Sequence, residues 1–496
     1  MPTFEHADLR FEVEHRNPAP GGGPTLRVRD AAGQERLRFD CFERGAHWHL
    51  DPAGRDEISR PPEGVDALEW LVAELRADAV GWLARADLTA PAPGPELLDA
   101  IETALRNPPL DLDAVRPESR RPSVGEKWSV YSDDVLPLWV ADMDFPLAEP
   151  IRRVLARLVE RSDVGYPIHP APTDVPSLAV ERMERLYGWR LDPSRVEILS
   201  DVVQGMTIAL QTLSEPGEGA VVQTPIYPPF LGMVRELGRR LVETPLTLGA
   251  KGYEIDLDAL RAAVDDGTRV FLLCNPHNPS GRAFRRDELE GIAQLAIERD
   301  LFVVSDEIHQ DLVWSGHSHI PLATLSPEIE ARTLTLTAAS KAFNIAGLRC
   351  AVALFGSDEL KERFRDLPRG FRGGISVPGI EALQAAWRHG GPWLEAVRAY
   401  LEENRALVID FVARELPGVV LYPPEATYLA WLDCRALDLA PDPYRFFLSE
   451  AKVALSPGPN FGRPGQGFAR INFATSKAIL SEALERMAKA LRQTGA

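Results

Sequence analysis

Five short stretches of this 496-residue sequence carry side chains suited to chemistry, and each stretch ends or directly follows an apolar run. The runs read VEILS, GAVVQT, RVFLLCN, LFVVSD and TLTLT. Runs of this kind are typical of strands that are buried on both faces of a parallel sheet. Ligands of such sheets bind at the carboxyl ends of the strands. The candidate site is therefore drawn from residues 201–203, 224–227, 275–281, 306–309 and 340–341.

The side chains in these stretches fit one cofactor. The amine of Lys341 can form a Schiff base with an aldehyde. Asp306 can hold a pyridine nitrogen protonated, which makes the ring an electron sink, and Tyr227 can stack on a heteroaromatic plane. Asn278 and His309 can hydrogen-bond a ring oxygen. Because helix-start amides and an arginine can also bind a phosphate, the set predicts a pyridoxal phosphate site.

The patterns along the chain predict two different kinds of folded unit. Residues 1–105 alternate apolar and polar residues and then show helical spacing, which predicts a small module of β-strands and helix. The Pro-rich residues 106–125 predict a linker. From residue 126 onward, apolar runs alternate with amphipathic stretches, which predicts an α/β fold with a mostly parallel sheet covered by helices.

The composition excludes several classes of partner. The net charge is −18, from 55 Lys and Arg against 73 Asp and Glu, which argues against nucleic acid or an anionic membrane as the partner. The sequence has no apolar run of membrane-spanning length and no signal-peptide pattern, so we expect a cytoplasmic protein. His47 and His49 lie at strand spacing on one face, but two histidines are too few for a metal site, and no metal is predicted.

Seven motifs, in order along the chain, resemble those of a known family. The sequence is similar to the fold-type I pyridoxal-phosphate enzymes of the class I/II aminotransferase superfamily, and within it to the PatB/MalY-type cystathionine β-lyases, which are C–S lyases. The resemblance covers about residues 126–492. It implies a core segment at 126–165, a large cofactor-binding domain at 166–385 and a smaller C-terminal α+β domain at 386–496. The motifs are LPLWVADMDFP, VGYP, QTPIYPPF, NPHNPSGRAF, SDEIHQDLVW, SKAFNIAGL and FARINFAT.

The resemblance also implies a role for each matching residue. Lys341 would hold the cofactor and carry the Cα proton, and Asp306 would pair with the pyridine nitrogen. Tyr166 would take part in catalysis by reaching the phosphate of a neighbouring subunit, which requires a homodimer. The other cofactor contacts would come from Asn278 and His309 at the phenolic oxygen, Tyr227 on the ring, and Val202, Val203 and Arg349 at the phosphate. The substrate α-carboxylate would be bound by Arg470, helped by backbone at Ala141 and Asp142.

The reaction implied by the resemblance is β-elimination at the C–S bond of a small cysteine-derived amino acid similar to cystathionine. The same residues would also serve an aminotransferase or γ-elimination and γ-replacement. A non-catalytic regulatory protein on the same fold is the alternative of a different class. Two departures bear on the site: Ala338 replaces a hydroxyl residue found in many relatives, and Arg369 and Arg372 occupy a stretch that is apolar in the lyases. We expect Arg372 to contact a distal polar end of the substrate.

Overall fold

The computed structural model describes residues 1–16, 22–42, 45–52, 54–167, 173–249 and 252–494, without the side chains of Arg369 and Thr494. The chain divides into two compact units. One unit consists of Met1–Leu110 with Ala148–Pro150, and the other of Asp111–Leu147 with Ile151–Ala496. The finer predicted boundaries stay predictions.

The first unit is a six-stranded antiparallel sheet with two helices. The strands pair in chain order, and their buried apolar residues, such as Phe11, Leu26 and Phe39, form one core with Leu71 and Trp82 of the first helix. The alternation of apolar and polar residues arises because only one face of each strand meets that core. The elements are β1 (Thr3–His6), β2 (Leu9–Arg16), β3 (Gly23–Arg29), β4 (Glu35–Asp40), β5 (His47–Leu50), β6 (Glu57–Ser59), α1 (Ala67–Arg85) and α2 (Pro95–Arg106).

The rest of the chain contains fifteen further strands and fourteen helices among the described residues. The strands are β7 (Leu136–Pro137), β8 (Val196–Leu199), β9 (Gly219–Val222), β10 (Arg240–Glu243), β11 (Thr247–Gly249), β12 (Gly252–Glu254), β13 (Thr268–Cys274), β14 (Phe302–Asp306), β15 (Thr333–Thr337), β16 (Ala351–Phe355), β17 (Val420–Leu421), β18 (Leu429–Asp433), β19 (Val453–Ala454), β20 (Ser456–Pro457) and β21 (Phe468–Asn472). The helices are α3 (Pro117–Arg120), α4 (Glu126–Ser129), α5 (Glu149–Glu160), α6 (Val175–Tyr187), α7 (Val202–Leu213), α8 (Pro228–Glu236), α9 (Leu257–Ala263), α10 (Arg286–Glu298), α11 (Pro327–Glu330), α12 (Asp358–Arg365), α13 (Val377–His389), α14 (Gly391–Glu415), α15 (Pro443–Phe446) and α16 (Lys477–Thr494).

A seven-stranded sheet in the order β10-β9-β13-β14-β15-β16-β8 forms the centre of this unit. Its pairs are parallel except for those made by β16, which runs antiparallel to both neighbours. Hydrophobic clusters cover both faces, so the central strands are buried on both sides, as their continuous apolar sequences predict. The predicted α/β fold with a mostly parallel sheet and an added β-rich N-terminal module is confirmed.

The register of the central strands brings their carboxyl ends together. Cys274 at the end of β13 pairs with Asp306 at the end of β14, and Asp306 pairs with Leu336 near the end of β15. The chain therefore leaves three neighbouring strands at the same edge of the sheet. The segments that carry Asn278, Asp306 and Lys341 start from this edge.

A smaller antiparallel sheet, in the order β17-β18-β21-β20, lies in the C-terminal part of the chain. Its strand β21 carries Arg470, and all five residues of that strand are buried. Within the described ranges, none of the helices combines the length and the apolar character that crossing a bilayer requires.

Candidate active site

A cavity of about 590 Å³ opens at the carboxyl ends of the central strands. Arg470 of the smaller sheet also lines this cavity, so the site is built by both sheets of the second unit. Ten of the predicted site residues line it: Ala141, Val202, Val203, Tyr227, Asn278, Asp306, His309, Lys341, Arg349 and Arg470.

Lys341 lies in the turn that follows β15, and its amine points into the cavity. The Nζ atom donates a hydrogen bond to the carbonyl oxygen of Ala141 at 2.9 Å. Burial lowers the pKa of Lys341, and the nearby Arg470 charge acts in the same direction, while Asp142 and Asp306 oppose the shift. A lowered pKa increases the fraction of neutral amine, which is the nucleophilic form.

Asp306 is the last residue of β14, and its carboxyl group is buried at the cavity. Burial raises its pKa to about 7, although the backbone N–H of Ile308 donates to Oδ1 at 3.1 Å. Asp306 forms no ion pair with another described residue, although the charge of Lys341 acts on it and opposes the rise of its pKa. A buried carboxylate without a cation is unfavourable, so Asp306 is ready to receive a positively charged group.

Arg470 is a buried cation whose hydrogen bonds within the described part of the chain all go to neutral groups. Its Nη1 donates to Asn278 Oδ1 at 2.9 Å, and its Nη2 donates to the Trp139 carbonyl oxygen at 2.9 Å and to Ser456 Oγ at 3.0 Å. Its Nε has no partner in the described structure. Burial lowers the pKa of Arg470 to about 10. Its guanidinium is held in place, with positive charge that a ligand carboxylate would neutralise.

His309 and Tyr227 add two further groups to the cavity. His309 is buried, its Nδ1 has no hydrogen-bond partner among the described atoms, and burial lowers its pKa to about 3. The ring is therefore neutral and has an unused polar atom. Tyr227 precedes α8 and is partly exposed at the cavity, and burial raises the pKa of its hydroxyl.

The start of α7 forms another part of the cavity. Asp201 caps this helix by accepting from the backbone N–H of Gln204 at 2.7 Å. The first N–H groups of a helix have no partner within it, and Val202 and Val203, the first two residues of α7, line the cavity. Arg349 is half-exposed here and pairs with the other carboxylate oxygen of Asp201 at 2.7 Å. An anion bound at this point would meet helix amides and one guanidinium.

Three predicted residues do not line the cavity. Asp142 follows Ala141 in the chain, and its carbonyl oxygen accepts from Asn472 Nδ2 at 2.7 Å. Tyr166 is fully exposed. Arg372 donates from Nη1 to Glu197 of β8 at 2.7 Å. The side chain of Arg369 lies outside the described residues. The roles assigned to Tyr166, Asp142 and Arg372 stay predictions.

The sequence reasoning missed the residues that fix the loop from Trp139 to Met143. Tyr428 donates its hydroxyl to the Ala141 carbonyl oxygen at 2.7 Å, beside the Lys341 amine. Asn472 donates to the carbonyl oxygens of Val140 and Asp142 at 2.6 and 2.7 Å. One signal for Asn472 was available, since it follows Arg470 by two residues in a strand and so points to the same face.

Other contacts hold the two ends of the same loop. Ser456 donates to the Trp139 carbonyl oxygen at 2.7 Å, and the Asn344 amide exchanges two hydrogen bonds with the backbone of Met143. The carbonyl oxygens of this loop are therefore fixed from several remote parts of the chain. This rigidity holds the acceptor that positions Lys341.

The cavity residues fit pyridoxal phosphate on grounds that are independent of sequence similarity. Among the described residues, Asp306 forms no ion pair and His309 Nδ1 has no hydrogen-bond partner. A pyridinium nitrogen would satisfy Asp306, and a phenolic oxygen would satisfy His309. The amides that start α7 suit a phosphate. The amine of Lys341 lies in the same cavity and suits an aldehyde. Four different groups of the cofactor thus have a matching group in the chain.

Comparison with known proteins agrees with this geometry. Cystathionine β-lyase PatB of Bacillus subtilis (strain 168) is 38% identical over 383 residues, which cover 75% of this chain and 98% of that protein. Cystathionine β-lyase of Corynebacterium glutamicum is 35% identical over 370 residues, covering 74% and 96%. The crystal structure of a PLP-bound C–S lyase from Staphylococcus hominis matches with a TM-score of 0.72 and 29% identity, and covers 77% of this chain and 98% of its own.

Two families match different parts of the chain. Residues 3–105 match a domain of unknown function, DUF7700, which corresponds to the β-rich first unit. Residues 141–487 match the family Aminotransferase class I and II. This matched range includes all residues that line the cavity except Glu126, Trp139 and Val140. The second unit, with its mixed sheet and its lysine at the carboxyl ends of the central strands, has the architecture that the sequence predicted for this family. The chain therefore belongs to the aminotransferase class I and II family.

Proposed function

We propose that this protein is a pyridoxal-phosphate-dependent lyase that cleaves the C–S bond of a small cysteine-derived amino acid by β-elimination. The observation that carries the proposal is the convergence of Lys341, Asp306 and Arg470 on one cavity, where neither Asp306 nor Arg470 forms an ion pair with another described residue. The relatives named cystathionine β-lyase and C–S lyase support the choice of reaction.

The chain provides a separate group for each part of the cofactor. When bound, pyridoxal phosphate withdraws electrons from the bond between Cα and its hydrogen in an amino-acid substrate. In the bound state Asp306 would keep the pyridine nitrogen protonated, and Tyr227 would offer an aromatic face to the ring. His309 and Asn278 would hydrogen-bond the phenolic oxygen. The amides of Val202 and Val203 would bind the phosphate together with Arg349, which now pairs with Asp201.

The substrate is oriented by Arg470 and deprotonated by Lys341. Arg470 binds the α-carboxylate in a fork, because Asn278 and the Trp139 carbonyl oxygen already fix the plane of its guanidinium. The Lys341 amine, freed for proton transfer, removes the Cα proton and is held near it by the Ala141 carbonyl oxygen. The electron pair left at Cα forms the Cα–Cβ double bond as the Cβ–S bond breaks. The sulfur leaves with that bond pair and takes up the proton that Lys341 removed from Cα. The released 2-aminoacrylate tautomerises to its imine, and addition of one water to the imine yields pyruvate and ammonia.

The site as proposed is completed by a second copy of the chain. Tyr166 is fully exposed on a single chain, where it has no contact with the cavity. In a homodimer its hydroxyl would reach the partner's phosphate site. We infer the homodimer from the resemblance and from this exposure, whereas the location in the cytoplasm is an expectation drawn from the sequence alone.

The experiment that tests the proposal compares two products from the same enzyme preparation. Purified protein is incubated with cystathionine, and pyruvate release is measured beside keto-acid-dependent transamination. We expect the enzyme to release pyruvate without an added keto acid, in an amount equal to that of the thiol released. Lys341→Ala should abolish this release, and Lys361→Ala, which changes a lysine outside the cavity, should not. Turnover that requires a keto acid and releases no thiol would identify an aminotransferase instead.

A further inference from the structure

The first unit contains a cluster of metal-ligating side chains that is independent of the cavity. Asp40 ends β4, and His47 and His49 lie on β5, where Asp40 pairs directly with His47. The Oδ2 of Asp40 lies 3.4 Å from His47 Nε2 and 3.8 Å from His49 Nε2. One ligand atom from each residue lies within 4.8 Å of the other two. Two ligands of a tetrahedral ion with bonds of about 2.1 Å are about 3.4 Å apart, so small side-chain shifts would close this set around one ion.

The hydrogen bonds of the two histidine rings leave both Nε2 atoms, with their lone pairs, close to Asp40 Oδ2. His47 Nδ1 lies 2.8 Å from the Gly45 carbonyl oxygen, and His49 Nδ1 lies 2.6 Å from Asp56 Oδ1. A carbonyl or carboxylate oxygen accepts only, so each Nδ1 carries the hydrogen and each Nε2 keeps its lone pair. Metal-binding histidines have this arrangement, in which a backbone carbonyl or a carboxylate holds the other ring nitrogen.

Asp40 is oriented in the same way. The hydroxyl of Thr25 donates to Asp40 Oδ1 at 2.7 Å, which leaves Oδ2 to face the histidines. Asp40 and His49 are almost completely buried, while about a quarter of the His47 side chain is exposed. The site is therefore rigid on two sides and accessible to an ion and to water on the third.

A positive charge already occupies this point in the structure. Arg38 donates from Nε to Asp40 Oδ2 at 3.0 Å, and its Nη2 lies 2.6 Å from His49 Nε2. Its Nη1 also donates to Glu35 Oε1 at 3.2 Å, which gives the guanidinium a second carboxylate to turn to. Arg38 thus contacts two of the three ligand atoms and competes with a metal ion for them.

We propose that Asp40, His47 and His49 form a binding site on the N-terminal unit for a divalent transition-metal ion such as Zn²⁺. Two imidazole nitrogens and one carboxylate oxygen suit zinc and its first-row neighbours, and three protein ligands leave a position for water or a ligand. Arg38 turns to Glu35 when the ion binds. Asp56 is a positioning residue that acts through His49.

The test uses the full-length chain after chelator treatment and dialysis. Binding of Zn²⁺ is measured by titration calorimetry and by metal content per chain, and binding of Co²⁺ by its visible absorption. We expect about one ion per chain. His47→Ala and His49→Ala should abolish binding, and His6→Ala, which changes a histidine of β1 in the same unit, should leave it unchanged. Circular dichroism of each variant reports whether the unit is folded.

Two further variants separate a metal site from a cluster that merely holds Arg38. Arg38→Ala removes the competing cation and should tighten Zn²⁺ binding about tenfold or more. Asp56→Ala should weaken it about 10- to 100-fold, as for other carboxylates that orient a metal-binding histidine, and Asp56→Asn should restore most of the loss. Absence of Zn²⁺ and Co²⁺ binding in both the wild-type chain and Arg38→Ala overturns the proposal. So does binding that persists in a folded His47→Ala/His49→Ala double variant.

Discussion

Replacing Arg470 by lysine tests the substrate-binding part of the account in the most specific way. The substitution keeps the positive charge but removes the planar fork. In the structure, Nη1 and Nη2 are held by Asn278 and by the Trp139 carbonyl oxygen. A lysine ammonium cannot make both contacts and also bind a carboxylate at two points.

The size of the expected loss follows from the hydrogen bonds removed. A hydrogen bond to a charged group contributes about 1.5–3 kcal/mol. Losing one such bond to the substrate carboxylate should lower kcat/KM about 10- to 150-fold. The loss should be confined to substrates with a free α-carboxylate. An α-carboxamide analogue, which wild-type enzyme should use poorly, should lose little more in the variant.

The assay measures thiol release from an S-substituted cysteine and from its α-carboxamide, for the wild type and Arg470→Lys. Arg435→Lys is the matched control, because Arg435 follows β18 in the same small sheet but pairs with Asp433 and is half-exposed. We expect the preference for the acid over the amide to collapse only in Arg470→Lys. Equal losses on both substrates, or an unchanged preference, would show that Arg470 does not bind the carboxylate.

Three further predictions concern Asp306, Tyr166 and Arg372. Burial raises the pKa of Asp306 to about 7. In cofactor-free protein, the folded state therefore keeps a proton on Asp306 between about pH 4 and 7, whereas the unfolded state has lost it. The free energy of unfolding consequently falls as the pH rises across that range. The melting temperature of cofactor-free Asp306→Asn should therefore rise relative to wild type from pH 5 to pH 8, and a constant difference would contradict the assignment. Mixing inactive Tyr166→Ala and Lys341→Ala chains should restore partial activity, because one site of each mixed dimer is intact; no recovery despite subunit exchange would place Tyr166 outside the site. Arg372 pairs with Glu197 in the structure, and we expect it to turn from Glu197 to a distal carboxylate of the substrate. Arg372→Ala should then lower kcat/KM for cystathionine about 10- to 150-fold and leave kcat/KM for a short S-alkyl cysteine nearly unchanged. Equal effects on both substrates would show that Arg372 is only the partner of Glu197.

The part of the site that the sequence predicted is the part that local patterns determine. Lys341 and Asp306 follow buried strands, and the parallel register brings such strand ends together whatever the details of packing. The prediction of Asn278 had the same basis. The family resemblance then supplied Arg470, which no local pattern connects to the cavity.

The parts that the sequence did not predict depend on contacts between remote segments and on side-chain orientation. Tyr428 reaches the Ala141 carbonyl oxygen across 287 residues, and no periodicity reports such a contact. Arg349 and Arg372 each turn toward a carboxylate, Asp201 and Glu197, that the sequence did not identify as a partner.

In the metal-ligating cluster, the pairing of two strands identifies a ligand that the spacing of residues along one strand does not reveal. The sequence places His47 and His49 on one face of a strand, but it does not indicate a third ligand for a metal ion. Asp40 supplies it, because β4 and β5 are antiparallel neighbours and their register places Asp40 opposite His47. The hairpin pattern was present in the sequence, yet its register was not fixed by it.

The most direct test of the central claim locates the cofactor on the chain. Purified enzyme is reduced with borohydride, digested, and its peptides are mapped by mass spectrometry. We expect the peptide that contains Lys341 to carry the added mass of reduced pyridoxal phosphate. In Lys341→Ala we expect no peptide to carry this mass. Attachment to a different lysine in the wild type, or unchanged labelling of Lys341→Ala, would contradict the central claim.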